Sequence, residues 1–565
     1  MKGIHVYFAL LVLMTGACAG AASHVEIRSN QLFVDGEGQP QLYGAELQYF
    51  RLRGGQGPNL PRDKVIELWN RALDRMVEAH MNAISFYIPW DFHEYAEGKF
   101  DFTGTADADG DGKADYPSRD LKTFLRLVQE HGIKHILVRP GPYINAEWGF
   151  LGFGAVPQWL HDNYPETHMQ SSAGLNTKLY DYQNPVFREK SRAWLRELYN
   201  QVLKDYIGPG KPVDFLQLDN ETNYMWQSLF NHDYSPTAKG RYRKFLQDSY
   251  GTLAHYNSVV GQLYASWESV NPPTHPGVNV AEDQDWYRFH DESIHEYLHW
   301  VRGVWEEMGV KEPTVLFTLA ESYNASDDGL LPNYKFRNDP GVTGMMTVNL
   351  YPKTYEGDTH PLLNVPFKAE HDTKAAAEAN QTYRGDNEEW AMGPEIQAGW
   401  WRGTPVTTES RKQTYLSVIG HGMKAMFLYY FNEGDNFGSD WQKNQVMPLY
   451  QAQKVLPDYA DTPEAMLPDQ FWQELQNEVD KKVIVGIDAH GMVDQDPAVA
   501  AKLYFDAPLD GNAMPGDKYA IVKDVGEKII APHMDYLARA VEMTDPVCLL
   551  KDDAQHVPSQ IAGVP

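Results

Sequence analysis

Val213-Asp214-Phe215-Leu216-Gln217-Leu218-Asp219-Asn220-Glu221 is a short apolar run that closes on polar residues. Other stretches share its form: Gln41–Gln48, Ala83–Trp90, Lys134–Pro140, Thr314–Ala320, Gly344–Leu350, Glu389–Glu395 and Ala425–Phe431. Most are followed by a helical pattern. Asp63–His80 is the clearest, with Val65, Ile66, Leu68, Trp69, Leu73, Met76 and Val77 at helical spacing. Phe124, Leu125, Leu127 and Val128 mark another helix, and Trp194, Leu195, Leu198 and Tyr199 a third. Short buried runs alternating with amphipathic helices are the rhythm of an α/β fold, the (β/α)8 TIM barrel. Tyr519–Lys528 reads as the eighth helix and Phe471–Lys481 as an extra helix after the eighth strand. The barrel is therefore expected over residues 30–535. Loop insertions are expected at 103–118 and 440–500, with 536–565 a short C-terminal extension and no complete C-terminal accessory domain.

The 565 residues are too many for one small core, and 42% hydrophobic with 13% aromatic content is ample for globular packing. A formal net charge of −28 opposes nucleic acid and anionic membrane surfaces as partners, since both would repel it. The 15 Trp and 33 Tyr offer faces on which sugar rings stack, although most aromatics of a large barrel serve its core.

The N-terminus has the pattern of an export signal over residues 1–22. Lys2 precedes an apolar stretch from Val6 to Met14, and small residues follow to Ala22. No later stretch is long and apolar enough to span a membrane. Ala19-x-Ala21 offers a cleavage site. Lipid attachment at Cys18 is the alternative, with Thr15 standing where such signals usually carry Leu. The only other cysteine is Cys548, so a mature chain has no intramolecular disulfide, and an exported periplasmic or extracellular protein must then rest on core size.

Glu221 and Glu395 each close an apolar run, the fourth and the seventh. In one barrel the C-terminal strand ends face a common pocket, so the two carboxylates would meet there. Retaining cleavage of a glycosidic bond needs such a pair, one protonating the leaving oxygen and one attacking the anomeric carbon. The bland reading makes Glu221 a surface carboxylate and Glu395 a helix cap after Pro394. Glu321, at the end of the fifth run, is the rival carboxylate, but no Asn precedes it.

Further motifs bear on this choice. Arg139-Pro140-Gly141-Pro142-Tyr143-Ile144-Asn145-Ala146-Glu147-Trp148, with Gly154-Ala155-Val156-Pro157-Gln158-Trp159-Leu160, resembles the signature of glycoside hydrolase family 35, the β-galactosidase family. Tyr49-Phe50-Arg51, Phe86–Glu94, Lys99–Phe102, Asp219–Glu221, Glu395–Trp400, Asn436–Gly438 and Asp506–Asp510 match in the same order, so the resemblance runs over residues 30–535. It implies Glu221 as acid/base and Glu395 as nucleophile. It also implies sugar contacts from Tyr87, Asn145, Ala146, Glu147 and Asn220, with the Tyr351 hydroxyl near the nucleophile, and no cofactor for catalysis. An Asn beside the acid/base can hold the sugar 2-hydroxyl, a contact that strengthens as the oxocarbenium-like state forms.

The chain departs from the family at Leu47-Gln48, where Ile-His is usual, at Trp401-Arg402-Gly403, and at Leu503-Tyr504-Phe505, where Tyr-Asp-Tyr is common. These bear on the sugar and the aglycone, not on the chemistry. The expected activity is exo-hydrolysis of terminal β-galactosyl residues from oligosaccharide or polysaccharide ends. The alternatives are the same mechanism on another β-glycoside, such as a glucosaminide or modified galactan, and a sugar-binding barrel without turnover.

Asp107-Ala108-Asp109-Gly110-Asp111-Gly112-Lys113-Ala114-Asp115 reproduces the front of a calcium loop, with acidic residues at positions 1, 3, 5 and 9 and Gly at 6. Position 12 is Ser118 and not a bidentate Glu. A weakly held structural Ca2+ on Asp107, Asp109, Asp111 and Asp115 is expected, against a plain solvated acidic turn.

Overall fold

The structure, a computed structural model, describes residues 24–52, 60–144, 154–222, 233–275, 277–321, 344–351, 369–370, 372–378, 380–381, 385, 387–401, 407–434, 504–505 and 507–541. The export signal, Asn145, Ala146 and Glu147, Phe471–Lys481 and the C-terminal residues from 542 onward lie outside them.

A closed, all-parallel barrel carries the fold. Its strands are β1 (Leu42–Glu46), β2 (Ala83–Tyr87), β3 (His135–Arg139), β4 (Val213–Gln217), β5 (Leu316–Glu321), β6 (Met345–Leu350), β7 (Met392–Gln397) and β8 (Ala425–Tyr429), each beside its sequence neighbour, with β8 pairing back onto β1. Every expected run overlaps one of them, with β5 ending one residue and β7 two residues beyond the expected end. Helices cover the outside: α1 (Arg62–Glu78), α2 (Leu121–Glu130), α3 (Pro185–Gln201), α4 (Val280–Glu307), α5 (Thr408–Gly420) and α6 (Asp517–Val525). Local chemistry starts several of them. The Asp120 carboxylate accepts the Thr123 N–H at 3.1 Å, and Asn184, followed by Pro185, accepts those of Val186 and Phe187.

Along each strand the side chains alternate between the helices and the barrel interior. The lower interior is apolar, with Leu42, Ala83, Leu137, Phe215, Leu316, Met345, Met392 and Phe427 in one cluster. A small antiparallel sheet (Val25–Arg28, Gln31–Val34, Glu37–Gly38) closes this end by adding Val25 and Leu32 to the cluster. One turn of the pleat higher, the interior becomes polar: Glu46, Ser85, Arg139, Gln217, Thr318, Thr347, Asn349 and Glu395 are all buried. Sequence alternation thus builds a dry floor under a polar pocket.

The last helix seals the β8–β1 side. α6 continues through wider turns over Gly526–Ile530 into Ala531–Leu537, so it is longer than Tyr519–Lys528. Gly526 lets it pass α1 closely, since a Cβ there would lie 2.0 Å from the Ala79 carbonyl oxygen. Lys424 donates to the Leu537 carbonyl at 3.1 Å, where the helix ends. Among the described residues no helix is long and apolar enough to cross a membrane.

Candidate active site

Glu46, Tyr87, Arg139 and Gln217 are the final residues of β1 to β4, and their side chains converge on one guanidinium. Arg139 Nε donates to Gln217 Oε1 at 3.1 Å, and Nη2 to Asn220 Oδ1 at 2.8 Å. Nη1 pairs with Glu46, Nη2 also pairs with Glu395, and the guanidinium lies 3.9 Å over the Tyr87 ring. Burial works against the Arg139 charge, yet Tyr87, Glu395 and Glu46 together hold its pKa well above the ordinary value.

Glu395 sits within β7, two residues before its end and in register with Asn349 of β6. Pro394 has no N–H for the ladder, and the pairing of β7 with β8 shifts register between Gly393 and Ile396. Gly393 fits this bend because a Cβ would approach the Ile396 Cδ1 to 2.4 Å. The Glu395 carboxylate accepts from Arg139, from the Tyr87 hydroxyl at 2.7 Å and, on its other oxygen, from the Tyr351 hydroxyl. Three donors, one of them charged, hold the carboxylate and fix its plane.

Glu221 lies beyond β4 on a loop laced to the loop after β3. Asp219 N–H donates to the Gly141 carbonyl, and Asn220 N–H to that of Tyr143. Asp219 and Glu221 take positive φ, 62° and 43°, a conformation that tertiary contacts must hold. The Asp219 carboxyl supplies such contacts, accepting the Tyr143 N–H at 2.6 Å, the Thr222 hydroxyl at 2.8 Å and the Tyr297 hydroxyl at 3.2 Å. Burial pushes its pKa up to about 8. Glu221 is 4% exposed and accepts the Asn349 amide at 2.6 Å. Glu395 thus has a cation and two hydroxyls on it, and Glu221 has the Asn349 amide among its partners.

Of the expected site residues, Glu221, Glu395, Tyr87, Asn220 and Tyr351 come together, while Asn145, Ala146 and Glu147 are outside the described residues. Sequence reading passed over Arg139, Glu46, Asn349 and Asp219. The signal for the first three was their polarity at or near strand ends on the inward side.

This geometry can be set beside known proteins. Residues 31–285 match the profile of glycosyl hydrolases family 35. Across this segment, a little under half of its length, the chain is similar to that family. The match includes the Glu221 loop and stops before β5, so it is shorter than the run of motifs over 30–535 and leaves out Glu395. An exo-β-D-glucosaminidase from Pyrococcus horikoshii is 29% identical over 269 residues, 46% of this chain and 31% of that protein. A β-galactosidase from Mus musculus is 31% identical over 199 residues, 35% of this chain and 24% of that one. The chain thus spans under a third of the length of either relative. A solved β-galactosidase from Halorubrum lacusprofundi shares the fold at a TM-score of 0.56 and 14% identity, over 86% of this chain and 57% of that one.

The acidic loop lies between β2 and α2. Asp107, Asp109 and Asp115 each offer an oxygen within 4.8 Å of the others, and Asp111 is not part of that group. Asp111 accepts the Lys113 N–H at 2.8 Å and faces its ammonium group at 3.9 Å.

Proposed function

We propose that the chain is an exported, retaining exo-glycosidase. It releases terminal non-reducing β-D-galactosyl residues through a covalent glycosyl-enzyme intermediate, with Glu221 as acid/base and Glu395 as nucleophile. The observation that carries the reading is the meeting of two buried carboxylates at one end of one barrel, with three donors on Glu395 and the Asn349 amide on Glu221. Three donors, a guanidinium among them, hold and aim the Glu395 carboxylate, as a nucleophile requires. Glu221 meets the neutral amide of Asn349 and can carry the proton that the leaving oxygen needs. In the first step Glu395 attacks the anomeric carbon, the glycosidic bond breaks, and the aglycone oxygen takes the Glu221 proton. Water then gives its proton to Glu221 and displaces Glu395.

Asn220 is oriented by Arg139 and by the Gln217 amide at 2.9 Å, which suits it to meet the sugar 2-hydroxyl. Tyr87 and Tyr351, both on Glu395, stand at the wall against which the anomeric carbon must rest. Asn145, Ala146 and Glu147 complete the proposed sugar contacts on sequence grounds. A second reading, the same mechanism on a β-glucosaminide, is favoured by the similarity to the exo-β-D-glucosaminidase. Initial rates on chromogenic β-galactosides, β-glucosides and β-glucosaminides test both. Highest kcat/KM on the galactoside is expected. Turnover of the glucosaminide alone replaces the sugar and keeps the mechanism, and hydrolysis of none rejects the enzyme.

A further inference from the structure

Glu46 has no assigned part in proton transfer or attack, yet it shares one guanidinium with the nucleophile. Its side chain is fully buried, and Arg139 reaches it through Nη1 and Glu395 through Nη2. Among the described residues the remaining partners of Arg139, Asn220 and Gln217, are neutral, and Tyr87 and Tyr429 contribute phenol rings. β1 holds Glu46 rigidly, because its carbonyl accepts the Phe431 N–H and its register partner is Ser85 of β2.

We propose that Glu46 is a positioning residue that keeps the buried Arg139 charge balanced while Glu395 is esterified; this rests on the retaining reading above. Burial pushes the Glu46 pKa up to about 7 against the pull of Arg139, so the two steps are compared at a pH of about 8. With all three groups ionised, two negative charges flank the Arg139 charge, and the buried Arg51 adds a second, weaker positive influence on Glu46. Attack converts the Glu395 carboxylate to a neutral ester as its electron pair forms the bond to the anomeric carbon. The pair of the broken glycosidic bond leaves with the aglycone oxygen, which receives the Glu221 proton. Arg139 then has a single anionic partner among those contacts, Glu46. A buried guanidinium with no counter-charge is strongly unfavourable, so removing Glu46 destabilises the covalent state most. The same removal leaves Arg139 wholly to Glu395 in the free enzyme, which ties down the nucleophile's charge. Both effects slow formation of the ester. The second step restores the Glu395 charge, and the same imbalance speeds it.

This opposite effect on the two steps separates charge balance from mere packing, since a distorted pocket slows both. The probes are 2,4-dinitrophenyl 2-deoxy-2-fluoro-β-galactoside and its glucoside counterpart, with trapping followed by dinitrophenolate release and intact mass. Release of the trapped sugar is followed after the probe is removed. Glu46→Gln keeps the shape and deletes the charge. Its trapping is expected to slow by about tenfold, the effect of one pK unit of charge coupling, and release to quicken by several-fold. Glu46→Asp retains a carboxylate on a shorter arm and is expected to show the same asymmetry to a lesser degree. It carries the test alone if the Gln variant does not fold. Wild-type rates in both steps, or both steps slowed together, overturn the assignment of Glu46. A wild-type enzyme that turns over glycosides but is labelled by neither probe overturns the retaining reading, and this inference with it.

Discussion

Replacing Asp219 by Asn should change how stability depends on pH, and the direction follows from its surroundings. The carboxyl is fully buried, and burial raises its pKa from 3.8 to about 8 despite three donors. The folded protein therefore holds a proton there over a range in which the unfolded chain has lost it. Stability contributed by this proton is present below about pH 4 and is lost as pH rises toward 8, with a slope of at most about 1.4 kcal/mol per pH unit. A difference of about four units makes the total roughly 5 kcal/mol. The amide of the Asp219→Asn variant cannot titrate, so this slope disappears. At pH 4.5 the variant should be less stable by about 1 kcal/mol, because the amide brings two N–H donors where the protonated carboxyl has one O–H. Toward pH 8 the curves should cross, leaving the variant the more stable. Denaturant midpoints of both proteins between pH 4.5 and 8.5 measure this. Parallel curves would refute the argument, because they would mean that Asp219 does not change its protonation across the window.

The remaining expectations concern the pocket and the acidic loop. Glu221→Ala should lose little activity on aryl glycosides with good leaving groups and most of it on natural linkages, and equal losses on both would reject its role as the acid. Tyr351→Phe removes a hydroxyl from an ionised carboxylate, worth about 1.5–3 kcal/mol, so kcat/KM should fall about ten- to a hundredfold in steady-state assays; an unchanged value would mean that the contact is idle. Calcium in the range of about 10⁻⁴–10⁻³ M should raise the unfolding temperature in calorimetry. Asp109→Ala with Asp115→Ala should abolish that rise and Asp111→Ala should not. An identical response from all three proteins would reduce the loop to an acidic turn.

The barrel was legible because each strand is a short apolar run between polar ends, and parallel barrel strands are buried on both sides. The boundaries were less so. Val213–Asp219 reads as one run, but the strand stops at Gln217, and Asp219 has turned to positive φ to receive hydrogen bonds from α4 and the β3 loop. Pro394 looks like a terminator, yet the register shift beside it lets β7 continue to Gln397. The last helix reads as ending at Lys528, yet it runs on through Pro532 to Leu537. The two carboxylates could be found because each closes a run. Their environment could not, since Glu46 and Glu395 reach Arg139 from 93 and 256 residues away, and only barrel closure joins them. In the acidic loop, spacing suggested four ligands, while local turns direct the Asp111 carboxylate toward Lys113.

Following the anomeric protons by nuclear magnetic resonance during the first minutes of hydrolysis of a β-galactoside and a β-glucosaminide tests the two-carboxylate account most directly. With Glu395 attacking one face and water returning from the same side, the β-anomer should appear first and the α-anomer only by later mutarotation. First appearance of the α-anomer would contradict the account, because water and not Glu395 would then have made the bond.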